Sequence, residues 1–357
     1  MYGWMPGRFG IVMHVKWFAA DQEWTPQTMD RVITPTFLFW LGFTFIVLLL
    51  VVLLNESLER LRVVRKVHSL FNRLKRFQLT IMRVGIGLGL LLQLVTRTYI
   101  APTLAVDIWW VYGLLIVGLL GLLHRKLIAV SGAALATLYV KAIIEYGLFH
   151  SLDYMFYVGV IYYLLFYHRK WGRSCLPVLF FWAGLSLAWL AMEKMTLAKL
   201  AGSLIHEYSL PTLGFTVEDF VLISAFIELG LAWAFIVGVM NRFTALLLTG
   251  LFVATTTVFG ATEIIGHMVM HTLLVIFLIV GRDDSKTLYH VHRSPKLRCF
   301  FMVFHFTVLL FVLMPIYIWM GQPESGLNVD SHFHAPSHTH PGSDTAPAGS
   351  AHHSHHE

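Results

Sequence analysis

Ten apolar stretches, most of them close to twenty residues long, follow one another along this chain and exclude a soluble globular fold. The predicted spans are 33–54, 80–98, 108–123, 127–149, 153–167, 176–193, 219–240, 243–262, 267–281 and 299–320. An α-helix needs about 20 apolar residues to cross the hydrocarbon core of a bilayer. With 57% hydrophobic and only 13% charged residues among 357, the chain is predicted to be an all-α, polytopic membrane helical bundle of about ten transmembrane helices.

Positive charge falls in every second loop between these stretches. The basic segments are 60–76, 125–126, 169–173, Arg242 and 282–298. Such loops remain on the cytoplasmic side of a membrane. We therefore expect a multi-pass protein of the inner (plasma) membrane with both termini outside the cytoplasm. The net charge of +6 does not indicate nucleic-acid binding, because it is confined to these short loops, and two cysteines provide no disulfide framework.

The chain divides into six segments. We predict an N-terminal extracytoplasmic segment (1–32), a first helix with a basic interfacial segment (33–79), two four-helix units (80–173 and 174–298), a last helix (299–320) and a disordered His-rich tail (321–357). The two units show a repeat, in which similar residues recur 117 or 118 positions later. Arg125 matches Arg242, and Glu145 matches Glu263. The sequence therefore predicts two parallel four-helix repeats.

The second unit carries a recognisable pattern over residues 176–281. Its features are Glu193-Lys194 at a helix end, an amphipathic segment at Thr196–Tyr208, a Leu-Pro-x-x-Gly turn at Leu210–Gly214, Glu228-Leu-Gly, and Gly238 followed by Arg242. This stretch resembles the DoxX-like family of membrane proteins, and residues 80–170 resemble a degenerate second copy. The resemblance implies a helical bundle and, for some members, a subunit role in quinone-linked oxidation of sulfur compounds. The first and last helices, the basic segment and the His-rich tail are additions to that pattern.

Glu263, His267 and His271 stand four residues apart in an apolar run, and the family pattern does not include them. At this spacing, three side chains project from nearly one helix face. Ionisable groups within a membrane are costly and point to function, and this set of donors suits Zn, Cu or Fe. Gly260 and Gly266 place a helix junction around Glu263, near the outer face. The alternative interpretation is a structural histidine pair hydrogen-bonded between helices.

Other ionisable residues near the outer helix ends complete the predicted site. Further ligands for the metal are His206, Glu193 and Glu228, and a second or shared site is predicted at Glu145, His150 and Asp153. Glu228 is alternatively a proton relay or second-shell carboxylate, or it simply pairs with a Lys, Arg or Tyr of a neighbouring helix; Lys141 is the intramembrane cation expected to neutralise it. Glu193 and Lys194 are interpreted as an ordinary interfacial pair.

The C-terminal tail is rich in histidine, serine, proline and glycine and is predicted to be disordered. Its histidines are His332, His334, His338, His340, His352, His353, His355 and His356. We expect it to capture Cu, Zn or Ni at low affinity, or to act as a pH-sensitive tether.

These patterns lead to three functional hypotheses. The first is a metal-binding oxidoreductase or redox-complex subunit, with a transition-metal site at the outer face and, by the family resemblance, a quinone as electron partner. The second is transition-metal handling or transport, and the third a non-catalytic scaffold subunit. All three place the chain in a lipid bilayer, and the first and third beside other subunits. Whether the chain is an enzyme stays open.

Overall fold

The computed structural model describes residues 25–281 and 294–327. Thirteen α-helices and one short hairpin make up this part of the chain. They are α1 (Met29–Val32), α2 (Pro35–Glu59), α3 (Arg62–Leu74), α4 (Gln78–Thr96), β1 (Thr98–Tyr99), β2 (Ala101–Ala105), α5 (Trp109–Leu123), α6 (Ile128–Ser151), α7 (Phe156–Phe166), α8 (Cys175–Thr196), α9 (Ala198–Glu207), α10 (Val217–Val237), α11 (Asn241–Phe259), α12 (Ala261–Val280) and α13 (Pro295–Met320). Single 3₁₀ turns lie at Lys75–Phe77, Leu152–Tyr154, Gly172–Ser174 and Pro323–Ser325.

Eight helices in the described residues are long and apolar enough to cross a membrane, judged by length and composition. The two other predicted spans are the apolar helices α5 and α7, with 15 and 11 residues. At 1.5 Å per residue, they are about 22 and 16 Å long, less than the roughly 30 Å hydrocarbon core. The all-helical membrane class is therefore confirmed. Eight helices in the described part of the chain have the length of a transmembrane span, and the predicted count of ten is not confirmed.

The helices from α4 to α12, apart from α9, form a ring. Each packs against the next one in the chain, and α12 closes the ring by packing against α4. Side chains also join the helices across the interior, since Gln93 of α4 donates a hydrogen bond to Tyr157 of α7 at 3.0 Å. In the other half, Phe180 of α8 stacks on Phe277 of α12 with ring centroids 3.9 Å apart. This arrangement is compatible with two four-helix units, while the repeat itself stays a prediction.

Helices α2 and α13 lie outside the ring and pack against each other; α13 also packs against α8, and α2 against α10. An aromatic cluster joins α13 to the ring, because Tyr317 lies 4.9 Å from Phe149 and 4.8 Å from Trp189 between ring centroids. The outward surfaces carry large apolar side chains such as Phe39 and Leu123, which are 64% and 71% exposed. Such a surface suits a lipid bilayer and not water.

The basic segments that the structure describes meet at one end of the ring, which we call the basic end. Arg242 at the start of α11 reaches the last carbonyls of α12, donating to Leu278 at 2.8 Å and Ile279 at 2.9 Å. It also donates to Asn72 of the amphipathic helix α3 at 2.5 Å. A guanidinium at a helix C-terminus satisfies carbonyls that have no partner within the helix and favours the negative end of its dipole.

Arg83 of α4 does the same for α5. It donates to the carbonyl oxygens of Leu122, at 2.6 Å, and of Leu123.

The far end of the ring, which we call the distal end, carries the β1–β2 hairpin, α9 and the segment before α1. There Gln27 donates its backbone N–H to Thr196 at 2.9 Å. The two ends therefore differ in charge and in how they are covered.

Candidate functional site

Glu263, His267 and His271 lie on one uninterrupted helix, α12, and we refer to them as the α12 triplet. The junction with α11 is at Gly260, whose positive φ of 67° suits glycine. Gly266 is an ordinary helical residue inside α12. The junction therefore falls at Gly260, three residues before Glu263, and not at Gly266, so Glu263 does not lie in the turn. The predicted shared helix face holds over the full length of the triplet.

Glu263 and His267 form a buried acid–imidazole pair in the distal half of α12. Their exposed fractions are 0% and 1%, and His267 Nδ1 contacts Glu263 Oε2. The ring of Phe252 from α11 lies against both histidines, with centroids 4.5 Å from His267 and 5.5 Å from His271. A carboxylate in contact with an imidazole away from water gives one proton two places to reside.

His271 lies deeper in the membrane than the sequence suggested. It is ten residues from the start of α12 and nine from its end, so it is about 14–15 Å from either end of the helix. The predicted position near a helix end therefore holds for Glu263 in the first turn of α12 but not for His271 at mid-helix. The three side chains of the α12 triplet therefore follow one another along the helix from the distal end to the middle of the bundle.

The imidazole of His271 lines an apolar groove between α4 and α12, which we call the lateral groove. Its volume is about 320 Å³, and its other walls include Thr80, Val84, Gly85 and Thr272. Val84 is 57% exposed, so the groove lies at the lipid-facing surface. His271 makes no hydrogen bond with the residues that the structure describes. It is therefore a hydrogen-bonding group at the wall of an apolar groove.

A second buried charge cluster lies between α8 and α10. Lys194 and Glu228 are 1% and 0% exposed and form an ion pair, and Glu193 interacts electrostatically with Glu228. Oxygen Oε1 of Glu228 has no hydrogen-bond partner in the described part of the chain. The prediction that Lys141 neutralises Glu228 is wrong, because Lys194 does so. The interpretation of Glu193 and Lys194 as an interfacial pair is also wrong. Both side chains are buried inside the bundle.

Lys141 instead belongs to a third cluster, with Glu145 one turn away on α6 and Tyr99 of β1. Lys141 forms an ion pair with Glu145 and donates to the Tyr99 hydroxyl at 3.2 Å. That hydroxyl donates to Glu145. Burial, followed by the hydrogen bond to Glu145, raises the pKa of Tyr99 far above its usual range. Tyr99 therefore remains a proton donor at any physiological pH.

The remaining predicted ligands are dispersed. His206 is exposed on α9, whereas His150 and Asp153 are buried near the end of α6. Among the described residues, no three His, Cys, Asp or Glu side chains come close enough together to hold a metal ion. The eight tail histidines lie outside the described residues. The predicted metal centre is thus not formed by these donors in their present positions.

Sequence reasoning missed Tyr99 and Phe252. The sequence does not indicate which residues Tyr99 contacts, because the hairpin that turns this side chain inward is only a few residues long. Lys194 offered a usable signal, because it and Glu228 are ionisable residues in neighbouring apolar segments. Opposite charges within a membrane bundle tend to pair with each other.

No family model, no curated protein and no solved structure matches this chain. The DoxX-like resemblance therefore stays a prediction.

Proposed function

We propose that this protein is a quinone-binding subunit of a membrane redox complex, with the lateral groove as the binding site and the α12 triplet as a proton path. One observation carries the proposal. A single imidazole, His271, lines an apolar groove at mid-membrane, and a buried acid–imidazole pair continues from it along the same helix.

The groove suits a lipid-soluble ring with polar oxygens at its edge. Its walls are apolar, and its volume of about 320 Å³ is at the lower end of the range for small-molecule pockets. Because it opens at the lipid-facing surface, a ligand dissolved in the bilayer can enter sideways. The imidazole of His271 then supplies the hydrogen bond that a carbonyl or hydroxyl oxygen of the ring needs in an apolar setting.

The triplet provides the acid–base chemistry that such a ligand requires. Oxidation of a quinol to a quinone releases two protons and two electrons. One hydroxyl of the quinol gives its proton to His271, and His267 and Glu263 lie one and two helical turns further towards the distal end. The proton of the other hydroxyl leaves with the electrons to the partner subunit. The α12 triplet spans about 12 Å along the helix axis. Neighbouring groups of similar basicity pass protons efficiently. The electrons leave to a redox centre of a partner subunit.

The test measures the binding of decylubiquinone to the full chain in lipid nanodiscs. Binding is monitored by quenching of tryptophan fluorescence. Loss of one buried hydrogen bond in His271→Leu is expected to weaken binding about tenfold. The matched control is His305→Leu, an intramembrane histidine of α13 that contacts Phe301 instead of the groove. Equal affinity in the wild type and His271→Leu would overturn the proposal.

A second experiment separates the proton path from binding. Glu263→Gln leaves the groove walls intact, so decylubiquinone binding is expected to persist. Because a carboxamide does not accept a proton, release of protons to the medium on oxidation of bound decylubiquinol by an added chemical oxidant is expected to slow. Unchanged proton release in this variant would contradict the role of the triplet.

A second candidate function is transition-metal binding, which two observations favour. Three donors, Glu263, His267 and His271, share one helix face, and the chain ends in a His-rich segment. Cu, Zn or Fe at this position requires movement of these side chains, or a donor from outside the described residues. Metal analysis of the full chain, and of protein truncated after Leu327, tests it, with His267→Ala/His271→Ala in each as the comparison. Absence of bound metal after supplementation would reject it.

The basic end is proposed to face the cytoplasm, by the positive-inside rule. Under this orientation, the protein lies in the plasma membrane with both termini outside, and the triplet opens towards the extracytoplasmic side.

A further inference from the structure

A polar cavity of about 600 Å³ lies at the distal end, separate from the lateral groove and from the three buried clusters. Its walls come from the segment before and within α1, from the α8–α9 junction and from the segment after α13. Two hydrogen bonds join these parts of the chain. Gln27 donates its N–H to Thr196 at 2.9 Å, and the Gln322 side chain donates to the Pro26 carbonyl at 3.2 Å.

The cavity is positively charged. Arg31 near the end of α1 and Lys199 near the start of α9 both line it, and no carboxylate is found among its described lining residues. Asp30 next to Arg31 lies outside the lining. A hydrogen bond with Thr28 lowers the pKa of Asp30, so its carboxylate is ionised and attracts Arg31 along α1. Lys199 carries a charge on a different element, across from Arg31.

The rest of the lining supplies hydrogen-bond donors. Side-chain amides of Gln27 and Gln322 line the cavity, whereas the Thr28 hydroxyl is already engaged with the Asp30 carboxylate. The start of α9 adds to them, because no side chain caps its first turn. Backbone N–H groups in a first helical turn have no partner within the helix and favour an anion.

We infer that this cavity binds a phosphate-type oxyanion, either the headgroup of an anionic phospholipid or a free phosphate. The guanidinium of Arg31 matches two oxygens of such a group in a bidentate manner, and Lys199 contributes a point charge from the other side. Amide donors of the walls serve the remaining oxygens. The cavity volume accommodates either source, and the site is independent of the proposed quinone binding.

The experiment uses the full chain purified in a neutral detergent, with two probes. Inorganic phosphate is titrated by calorimetry, and phosphatidylglycerol retained from mixed phosphatidylglycerol–phosphatidylcholine micelles is counted by native mass spectrometry. Arg31→Gln/Lys199→Gln removes both charges and leaves an uncharged polar side chain at each position. It is expected to weaken binding of at least one probe about tenfold or more.

The matched control is Arg97→Asn, which removes an exposed cation at the same end but outside the cavity. Asparagine tolerates the positive φ of 59° at this position. Binding of phosphate alone supports a soluble oxyanion, and binding of phosphatidylglycerol alone supports a lipid headgroup. Absence of both, or equal loss in the control and the double variant, overturns the inference.

Discussion

Lys194 and Glu228 neutralise each other in a place that water does not reach. Removing one partner leaves the other as an uncompensated buried charge, which costs roughly 3–5 kcal/mol in soluble proteins. We therefore expect Lys194→Met to lower the thermal unfolding temperature in detergent strongly. Lys194→Met/Glu228→Gln is expected to recover much of the loss, because residue 228 then no longer carries a buried charge without its partner. Lys126→Met, which removes an exposed cation in the α5–α6 loop, is the control. A double variant as unstable as the single one would contradict this account.

The Tyr99 hydroxyl links Lys141 to Glu145, and its ionisation gives stability a defined pH dependence. Since burial raises the pKa of Tyr99 in the folded protein, its stabilising effect is complete below about pH 10, the pKa of an unfolded tyrosine, and declines as pH rises above that value. Tyr99→Phe is expected to cost about 1–3 kcal/mol at pH 7. Its deficit relative to the wild type should shrink above pH 10.

Thermal unfolding of both proteins from pH 7 to pH 11 measures this difference. The control is Tyr112→Phe, because the Tyr112 hydroxyl makes no hydrogen bond with the described residues. A Tyr99→Phe deficit that stays constant across this range would show that ionisation of the hydroxyl does not contribute.

The seam between α4 and α12 depends on two glycines of α4. A Cβ at Gly85 would overlap the Thr272 side chain, and one at Gly89 would lie 2.7 Å from Val269. Glycines spaced in this way let membrane helices approach closely. Gly89→Ala is expected to cost about 1–3 kcal/mol by overpacking. Gly87→Ala, where the nearest atom lies 3.7 Å away, should leave the unfolding temperature unchanged or slightly raised. Equal effects at the two positions would exclude close packing as the cause.

The helices themselves could be predicted from apolar runs, because a backbone in lipid satisfies its polar groups only within a helix or a closed barrel. The same physics explains the error at Gly266. A glycine that would weaken a helix in water remains helical where no water competes for its backbone groups. The β1–β2 hairpin was not predicted, since its strands are too short to carry an alternating pattern.

The contacts between helices were less predictable from the sequence than the positions of the helices along the chain. Lys141 pairs with Glu145 one turn away, a local contact that the spacing i, i+4 allows. Lys194 meets Glu228 only because α8 packs against α10. Closure of the ring by α12 on α4 likewise depends on shape at Gly85 and Gly89, which a pattern of apolar residues does not contain. The sequence therefore indicated that charges lie within the bundle, but not which of them pair.

For the whole molecule, the orientation decides which compartment receives protons from the triplet. A background without native cysteines, Cys175→Ala/Cys299→Ala, permits labelling at single sites with a membrane-impermeant maleimide. Lys170 is exposed in a basic loop and His206 is exposed on α9 at the distal end. In intact spheroplasts, His206→Cys is expected to be labelled and Lys170→Cys to be labelled only after permeabilisation, because basic loops remain in the cytoplasm. The reverse pattern would place the distal end in the cytoplasm, and the triplet would then open to the cytoplasm.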